Sequence, residues 1–395
     1  MSVLSLNNKK ISMILIVSMM FIAFTKLRLF NLPVGLGELS LLFLGFISFK
    51  KIYKLNKVEV LKSISDNLFV KFWLMSFFLL LMAYIWIHAT GIHHTNTNVI
   101  HDILAYGFVF YILILFIILN KYHEIDFEII VLKMIYYTVL LYFVLMLITL
   151  FFDDTILSKR DRFIGFSNNP NQLALLYTVI PFLLIHFFKK DNINFNKKYI
   201  IYFLLLSVLV VIEIKSRGLL IAWFISISWI IYYMYYRSKL KANRVVLNFI
   251  FVLFLGIVAF NIDEIVSLLF KGGIGGFSHR MELWSNALEL IQSSFLIGFG
   301  PGAHVSSVVN TTHYWEVHNT FIDFTLQTGI IGLLLYLFLL YKIGKNLIKN
   351  GNMYLMGAFI ALIVFSTFHF VFRQPIFWFY LFYFYQMGRE KKCVE

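Results

Sequence analysis

One long stretch of this chain is too polar to lie in the hydrocarbon of a membrane. It ends within residues 318–332, whose sequence is His-Asn-Thr-Phe-Ile-Asp-Phe-Thr-Leu-Gln-Thr-Gly-Ile-Ile-Gly. That stretch covers roughly 260–327 and lies between two apolar runs. Most of the remaining sequence is compatible with hydrocarbon. We therefore expect any chemistry to occur where this segment meets a membrane.

The composition requires many membrane spans. The chain is 60% hydrophobic, 19% aromatic and only 14% charged, with a mean hydropathy of +0.82, which excludes an ordinary soluble domain. A span needs about 20 mostly apolar residues, because every backbone polar group must be satisfied inside the helix. Such runs predict an all-α polytopic membrane protein with about 12 transmembrane helices and one long outside (periplasmic) segment at 261–327. The predicted spans are 11–30, 33–49, 68–88, 102–120, 128–152, 171–188, 199–214, 218–236, 245–260, 328–343, 353–371 and 375–388.

The basic residues orient these spans. Of the 34 lysines and arginines, 22 fall on one side of the predicted topology, ten fall on the other side, and Lys71 and Lys133 lie within spans. The positive-inside rule then predicts that both termini are cytoplasmic. This distribution explains the net charge of +14 without a nucleic-acid partner. The only cysteine, Cys393, excludes a disulfide framework, and no cleavable signal is evident in the first apolar run.

Residues 1–152 are predicted to be a transmembrane scaffold. An outside loop in this region has four histidines, which raises the alternative of a metal site. They have no accompanying cysteine and no H-x-x-x-H spacing, so a solvated polar loop is the better interpretation. The four are His88, His93, His94 and His101.

The outside loop at 159–171 is basic on the side where topology disfavours basic residues, with Arg160 and Arg162 before Asn169-Pro170-Asn171. The Asn-Pro-Asn stretch begins a span, so amide N–H groups at the helix start and the arginines could together bind an anion. The alternative is an ordinary helix cap with a solvated loop.

A very short turn precedes Arg217, which opens the next span. Charged groups at that depth are costly and tend to face a wet cavity, so we interpret Arg217 as functional. Glu213 lies four residues earlier, and a structural ion pair is the alternative.

The outside segment contains a predicted interfacial helix at 282–292, preceded by Arg280. Gly298, Gly300 and Gly302 resemble a phosphate-binding loop but lack a strand–turn–helix context, and a tight turn is predicted instead. The closing helix begins after His318 and has a polar stripe at i, i+4 and i+8. The stripe consists of Asn319, Asp323 and Gln327, and the last outside turn contains His369 and Arg373.

Four pieces of this sequence resemble the O-antigen ligase / O-antigen polymerase superfamily. They are 163–171, 216–218, Arg280 and Trp284 followed by 297–300, and 318–332, which together cover about 160–335 in one order on one side of the membrane. The resemblance implies a C-type glycosyltransferase that transfers a glycan from an undecaprenyl-pyrophosphate carrier to a hydroxyl, without a nucleotide sugar or a metal. It implies functional roles for Arg217, Arg280 and His318.

The residue chemistry agrees with these implied roles. Arginine stays protonated and binds phosphate oxygens in a planar fork, so two arginines can stabilise charge on a diphosphate leaving group. A histidine near its unperturbed pKa of about 6.5 can accept the proton of an acceptor hydroxyl, or it can orient the pyrophosphate. Substrate contacts are expected from a wider set: Arg160, Arg162, Asn169, Asn319, Asp323 and Arg373.

These expectations favour a polymerase of O-antigen or capsule repeat units in the bacterial inner membrane, with 153–345 as its catalytic region and 346–395 as C-terminal helices and tail. The alternative is a ligase that transfers the finished glycan to lipid A–core. A flippase is less favoured, because it would be expected to have ionisable residues deep in several spans. The expected partners are lipid-linked oligosaccharides, the bilayer, and the chain-length regulator and flippase of the same pathway.

Overall fold

The computed structural model describes residues 3–22, 24–26, 35–52, 57–91, 99–152, 157–159, 162–190, 196–237, 274–306 and 314–389. The elements there are helices, apart from one short antiparallel pair of strands, β1 (Val305–Ser306) and β2 (Tyr314–Trp315). The helices are α1 Val3–Phe21, α2 Leu36–Ile52, α3 Lys57–Ser65, α4 Leu68–Thr90, α5 Val99–Tyr122, α6 Phe127–Phe152, α7 Pro170–Tyr177, α8 Ile180–Lys189, α9 Lys197–Ile214, α10 Arg217–Arg237, α11 Ile274–Ser293, α12 Thr320–Lys349, α13 Met353–Ser366 and α14 Pro375–Arg389.

Six of the described helical segments are long and apolar enough to cross a membrane: α4, α5, α6, the α7–α8 pair, α10 and α12. The prediction of a multi-pass, all-helical membrane protein is therefore confirmed, whereas the count of twelve spans stays a prediction. The predicted ninth span at 245–260 lies outside the described residues, as do Arg160, His93, His94 and Cys393.

Three predicted spans have different limits in the structure. Within the span predicted at 11–30, α1 ends at Phe21 and the chain turns at 24–26, where the Lys26 N–H donates to the carbonyl of Phe166 at 2.9 Å. The helix predicted at 353–371 ends at Ser366 and gives way to a turn. The segment predicted at 171–188 is two helices, since Pro181 in the first turn of α8 has no N–H to continue a helix from α7.

The short helix α14 forms the centre of the bundle, and each of its residues from Pro375 to Tyr385 is buried. A helix that is apolar on all sides needs neighbours on all sides. Here α12, α5 and α13 pack around it. The ring of Trp378 lies 4.9 Å from that of Trp73 in α4, and Phe372 packs on both, so the last two helices are fixed to the first half of the chain.

The helix α12 is broken at Gly329, whose φ of 67° and ψ of −172° are not helical. The turn after α11 crosses the break: the N–H groups of Phe299 and Gly300 donate to the carbonyls of Leu326 and Gln327, both at 2.9 Å. The turn is thus hydrogen bonded to the chain at the break, where helical bonding is interrupted. Positive φ values at Gly298, Gly300 and Gly302 confirm the predicted tight turn and give it a structural role.

Candidate active site

Arg217 begins α10 after a turn of only two residues. Lys215 follows the end of α9 with left-handed backbone (φ 51°), and Ser216 precedes Arg217. The side chain of Arg217 is exposed at a helix start, where backbone N–H groups carry partial positive charge. We call this end of the bundle, where α9 ends and α10 and α12 begin, the Arg217 end.

Arg162 lies beside that turn because its loop is bonded to the end of α9. The Phe163 N–H donates to the carbonyl of Glu213 at 2.9 Å, and Arg162 Nε donates to the carbonyl of Ile214 at 3.1 Å. Arg162 Nη2 and the hydroxyl of Ser216 both donate to Asn171 Oδ1, at 3.4 and 3.3 Å. These bonds fix the Arg162 guanidinium next to the start of α10.

Asn169 is the exposed N-cap of α7, and its side chain accepts the N–H of Asn171 at 2.9 Å. The adjacent Asn168 is bonded to Thr25 through its N–H (2.8 Å) and its side-chain amide (3.1 Å). The loop therefore has the helix-cap geometry, and its contribution to substrate binding stays a prediction.

Arg280 lies half-buried on α11, which covers the Arg217 end. The helix predicted at 282–292 lies within α11, where Leu283, Ala287 and Ile291 are buried in a cluster with Val317, and its place at the membrane interface stays a prediction. One turn after Arg280, the indole N–H of Trp284 donates to the carbonyl of Val317 at 3.0 Å. Arg280 is thereby held close to the segment that leads into α12.

His318 stands before α12 in a left-handed backbone conformation (φ 56°), which is uncommon for a residue other than glycine. Its neighbours hold this conformation. Both N–H groups that flank it donate to Asp323, Val317 N to Oδ1 at 3.0 Å and Asn319 N to Oδ2 at 3.2 Å. Asn319 caps α12 by accepting the N–H groups of Phe321 and Ile322. The side chains of Asn319 and Asp323 thus bind backbone and fix His318, while their predicted contacts to substrate stay untested.

The charges of Arg162, Arg217 and Arg280, which we call the arginine cluster, act on one another. Burial and then the charges of Arg217 and Arg280 lower the pKa of Arg162, and burial and then Arg217 lower the pKa of Arg280. Arginine keeps its proton at neutral pH despite such shifts. The structure therefore brings together three permanent cations from the loop before α7, from α10 and from α11.

A second histidine belongs to this group. His369, in the turn between α13 and α14, is 9% exposed, and its pKa is held well below the ordinary value by burial and by the charges of Arg280, His318 and Arg162. The predicted trio of Arg217, Arg280 and His318 thus lies with Arg162 and His369 in one region.

Arg373, predicted to bind substrate, makes its described ion pairs with carboxylates. Its Nη1 lies 2.8 Å from Asp102 Oδ1, its Nη2 pairs with Glu316, and it lies over the ring of Phe370. The side chain is 11% exposed. Arg373 therefore ties the turn after α13 to α5 and to the segment before His318, and a role in binding substrate stays a prediction.

Sequence reasoning missed Asp102 and did not assign His369 to the site. Asp102 is fully buried, and besides Arg373 it accepts the N–H of Gly302 at 3.0 Å and the side-chain amide of Gln327 at 3.4 Å. The signal was available, since a carboxylate in the first turn of an apolar span needs a buried partner. For His369 the only signal was its place in the same outer turn as Arg373.

Comparison with known families gives one result for this region. Residues 201–337 match the model of the O-antigen ligase family, which confirms the resemblance to the O-antigen ligase and polymerase superfamily. The match includes Arg217, Arg280 and His318 and ends after the break in α12. No curated protein matches the chain.

Proposed function

We propose, from the match of residues 201–337 to the O-antigen ligase family model, that the protein is a membrane glycosyltransferase that joins undecaprenyl-pyrophosphate-linked repeat units into a polysaccharide. The reaction would take place at the outer face of the bacterial inner membrane, at the Arg217 end of the bundle. Both termini would then be cytoplasmic, in keeping with the excess of lysine and arginine at the opposite ends of the helices.

The single observation that carries this proposal is the arginine cluster. Arg162 Nε donates to the carbonyl of Ile214, three residues before Arg217, and burial together with the neighbouring arginine charges lowers the pKa of Arg162 and of Arg280. Holding like charges together costs free energy that a bound anion recovers. A diphosphate has several oxygens that paired guanidinium donors can bind at once.

The chemistry follows from that binding mode. The acceptor hydroxyl oxygen attacks the anomeric carbon of the donor, and the bond from that carbon to the diphosphate oxygen breaks with its electron pair. The arginine cluster offsets the charge on the leaving diphosphate, a contribution of several kcal/mol by analogy with other preorganised anion sites. The hydroxyl proton passes to His318, and attack in one step inverts the anomeric carbon.

The backbone around His318 favours the binding of an anion beside this residue. His318 precedes α12 at the helix start, and the partial positive charge there favours an anion close to its ring. Asp323 fixes both flanking N–H groups, so the backbone that carries the imidazole is held in place before substrate arrives. Such preorganisation lowers the cost of reaching the reactive geometry.

A ligase is the second candidate, because the family model that matches residues 201–337 is described as an O-antigen ligase. Both reactions use the same donor and differ in the acceptor. Our preference for the polymerase comes from the sequence alone, because the outside segment at 261–327 does not have an obvious additional acceptor-binding domain.

The test replaces the gene with full-length variants Arg217→Ala, Arg280→Ala and His318→Ala and separates surface and carrier-linked glycans on a gel. Lys345→Ala is the matched control, since it removes a cation from the far end of the same helix that follows His318. We expect the three variants to insert normally and to abolish chain extension, with the control unaffected. Polymer of normal length from all three would rule out the enzyme assignment.

The gene deletion separates the two candidates. Single repeat units attached to core indicate that a polymerase was lost, whereas full polymer retained on carrier lipid indicates that a ligase was lost.

A further inference from the structure

His369 contacts the start of α10 at the residue after Arg217. A Cβ atom on Gly218 would lie 3.4 Å from His369 Nε2 and 3.3 Å from the Cβ of Phe368, so the turn after α13 packs directly on the helix start. The absence of a side chain at position 218 allows this approach. The ring of His369 therefore lies against the backbone that carries Arg217.

The same turn is bonded to the first residue of α12. The hydroxyl of Thr320 donates to the carbonyl of His369 at 2.6 Å and accepts the N–H of Val371 at 3.0 Å. Thr320 is two residues after His318. His369 thus lies between the helix start that bears Arg217 and the segment that bears His318, with its ring also packed on Phe365 at 4.6 Å.

Charge explains why a histidine suits this position. Arg280, His318 and Arg162 act on the ring from three different elements, and together with burial they keep the imidazole uncharged at neutral pH. A lysine or arginine here would add a further repelling cation. A neutral imidazole instead offers a nitrogen lone pair, which an aliphatic side chain lacks.

We propose that His369 is a positioning residue of the glycosyl transfer: with its backbone carbonyl bonded to Thr320 and its ring against Gly218, it sets the position of Arg217 relative to His318. This inference rests on the proposed function, because the spacing between Arg217 and His318 matters for diphosphate binding. It also assigns a role to a residue outside the 201–337 region that matches the family model.

The test is a double-mutant cycle on the full-length protein purified in detergent, with inorganic pyrophosphate as the probe and its dissociation constant as the readout. Gly218→Ala should press on Phe368, displace the turn that carries His369 and weaken binding about 10-fold, and His369→Ala should remove the spacer and weaken binding by a similar factor. In the double variant the added methyl group finds space, since without the ring the turn that carries Phe368 can yield. We expect the double variant to bind pyrophosphate at least as tightly as the single variant with the lower affinity. Losses that multiply to about 100-fold would show that the two positions act independently, which overturns the proposal.

Conservative replacement gives a second measurement. His369→Gln keeps an uncharged side chain of similar reach and should bind pyrophosphate within about 3-fold of the wild type, whereas His369→Ala leaves the space beside Gly218 unfilled and should lose about 10-fold. Equal losses in the two variants would show that the side chain does not act as a spacer and would overturn the proposal. Melting temperature is measured for each variant, so that affinities are compared among folded proteins.

The Arg217→Ala variant distinguishes failure of the proposed function from failure of the proposed role of His369. If that variant binds pyrophosphate as the wild type does, the proposed function fails. If it loses binding while Gly218→Ala and His369→Ala act independently, only the role of His369 fails.

Discussion

The indole nitrogen of Trp284 lies 3.0 Å from the carbonyl oxygen of Val317 and donates to it, which joins the helix of Arg280 to the residue before His318. Trp284 is one helical turn after Arg280, and Val317 is also bonded through its N–H to Asp323. Two of the three predicted catalytic residues are therefore positioned relative to each other by one side-chain hydrogen bond and one carboxylate.

Trp284→Phe should lower activity more than stability. The variant keeps the aromatic packing against the buried cluster and loses only the N–H donor, at a cost of about 1 kcal/mol. Because Arg280 and His318 then lose their common anchor, we expect a fall in transfer rate on the order of 10-fold, measured with lipid-linked donor in proteoliposomes. Trp229→Phe, a change of the same type in α10, is the control, and an equal fall in both variants would contradict the anchoring role.

Asp102 and Arg373 should be strongly coupled in stability. Asp102→Asn leaves the Arg373 cation with one carboxylate fewer in a buried setting, and removal of one partner from such a pair costs about 3–5 kcal/mol. Arg373→Gln should cost a similar amount, and the double variant should cost clearly less than the sum, measured by thermal unfolding in detergent.

The exposed pair of Lys71 and Asp66 is the control for that cycle. Their side chains are 60% and 64% exposed at a separation of 3.6 Å. Asp66→Asn should therefore change stability by less than about 1 kcal/mol. Simple additivity at Asp102 and Arg373 would mean that the buried network does not act as a unit.

Gly329→Ala should disrupt the crossing of the glycine-rich turn and α12. A Cβ atom at Gly329 would lie 2.2 Å from the carbonyl oxygen of Leu296, and the positive φ adds strain of about 1–3 kcal/mol. We expect a large loss of folded protein, measured as the monodisperse fraction after detergent extraction. Gly107→Ala is the matched control, since nothing lies within 4 Å of its Cβ position on α5, and alanine is the better helix former. Similar losses in both variants would contradict this account.

The sequence predicted the helical, multi-pass architecture because an apolar run long enough to span a bilayer has few alternatives to a helix. It missed the break in α12, because Gly329 looks like any glycine of an apolar segment until the turn at 298–302 is packed against it. The predicted limits of two spans differ from the helix ends at Phe21 and Ser366 for the same reason. Tertiary hydrogen bonds to Phe166 and Thr320 decide where the chain turns.

The candidate site was predictable only in its charges. Arg217 stands out because a charged group at the end of a span is costly and tends to face a wet cavity, whereas Arg280 was identified by the family resemblance. Whether Arg162 or Arg373 lies beside Arg217 and Arg280 depends on contacts between residues that are far apart in sequence. Asp102, which is 271 residues from Arg373, pairs with that guanidinium, whereas the end of α9 brings Arg162 to the cluster. No local pattern contains either relationship.

The low pKa of His369 predicts how stability depends on pH. In the unfolded chain a histidine takes up a proton below about pH 6.5, whereas the folded protein keeps His369 neutral until a much lower pH because of burial and the charges of Arg280, His318 and Arg162. The unfolded state therefore binds more protons in that window, and the free energy of unfolding falls as pH is lowered below about 6.5. The melting temperature of the wild-type protein should drop between pH 7 and 5.5, and His369→Gln should drop less over the same range. Asn350→Gln is the control at the opposite end of the bundle, since it changes a side chain that does not titrate, and its pH slope should match that of the wild type. An unchanged pH slope in His369→Gln would mean that this imidazole is not held neutral by its neighbours.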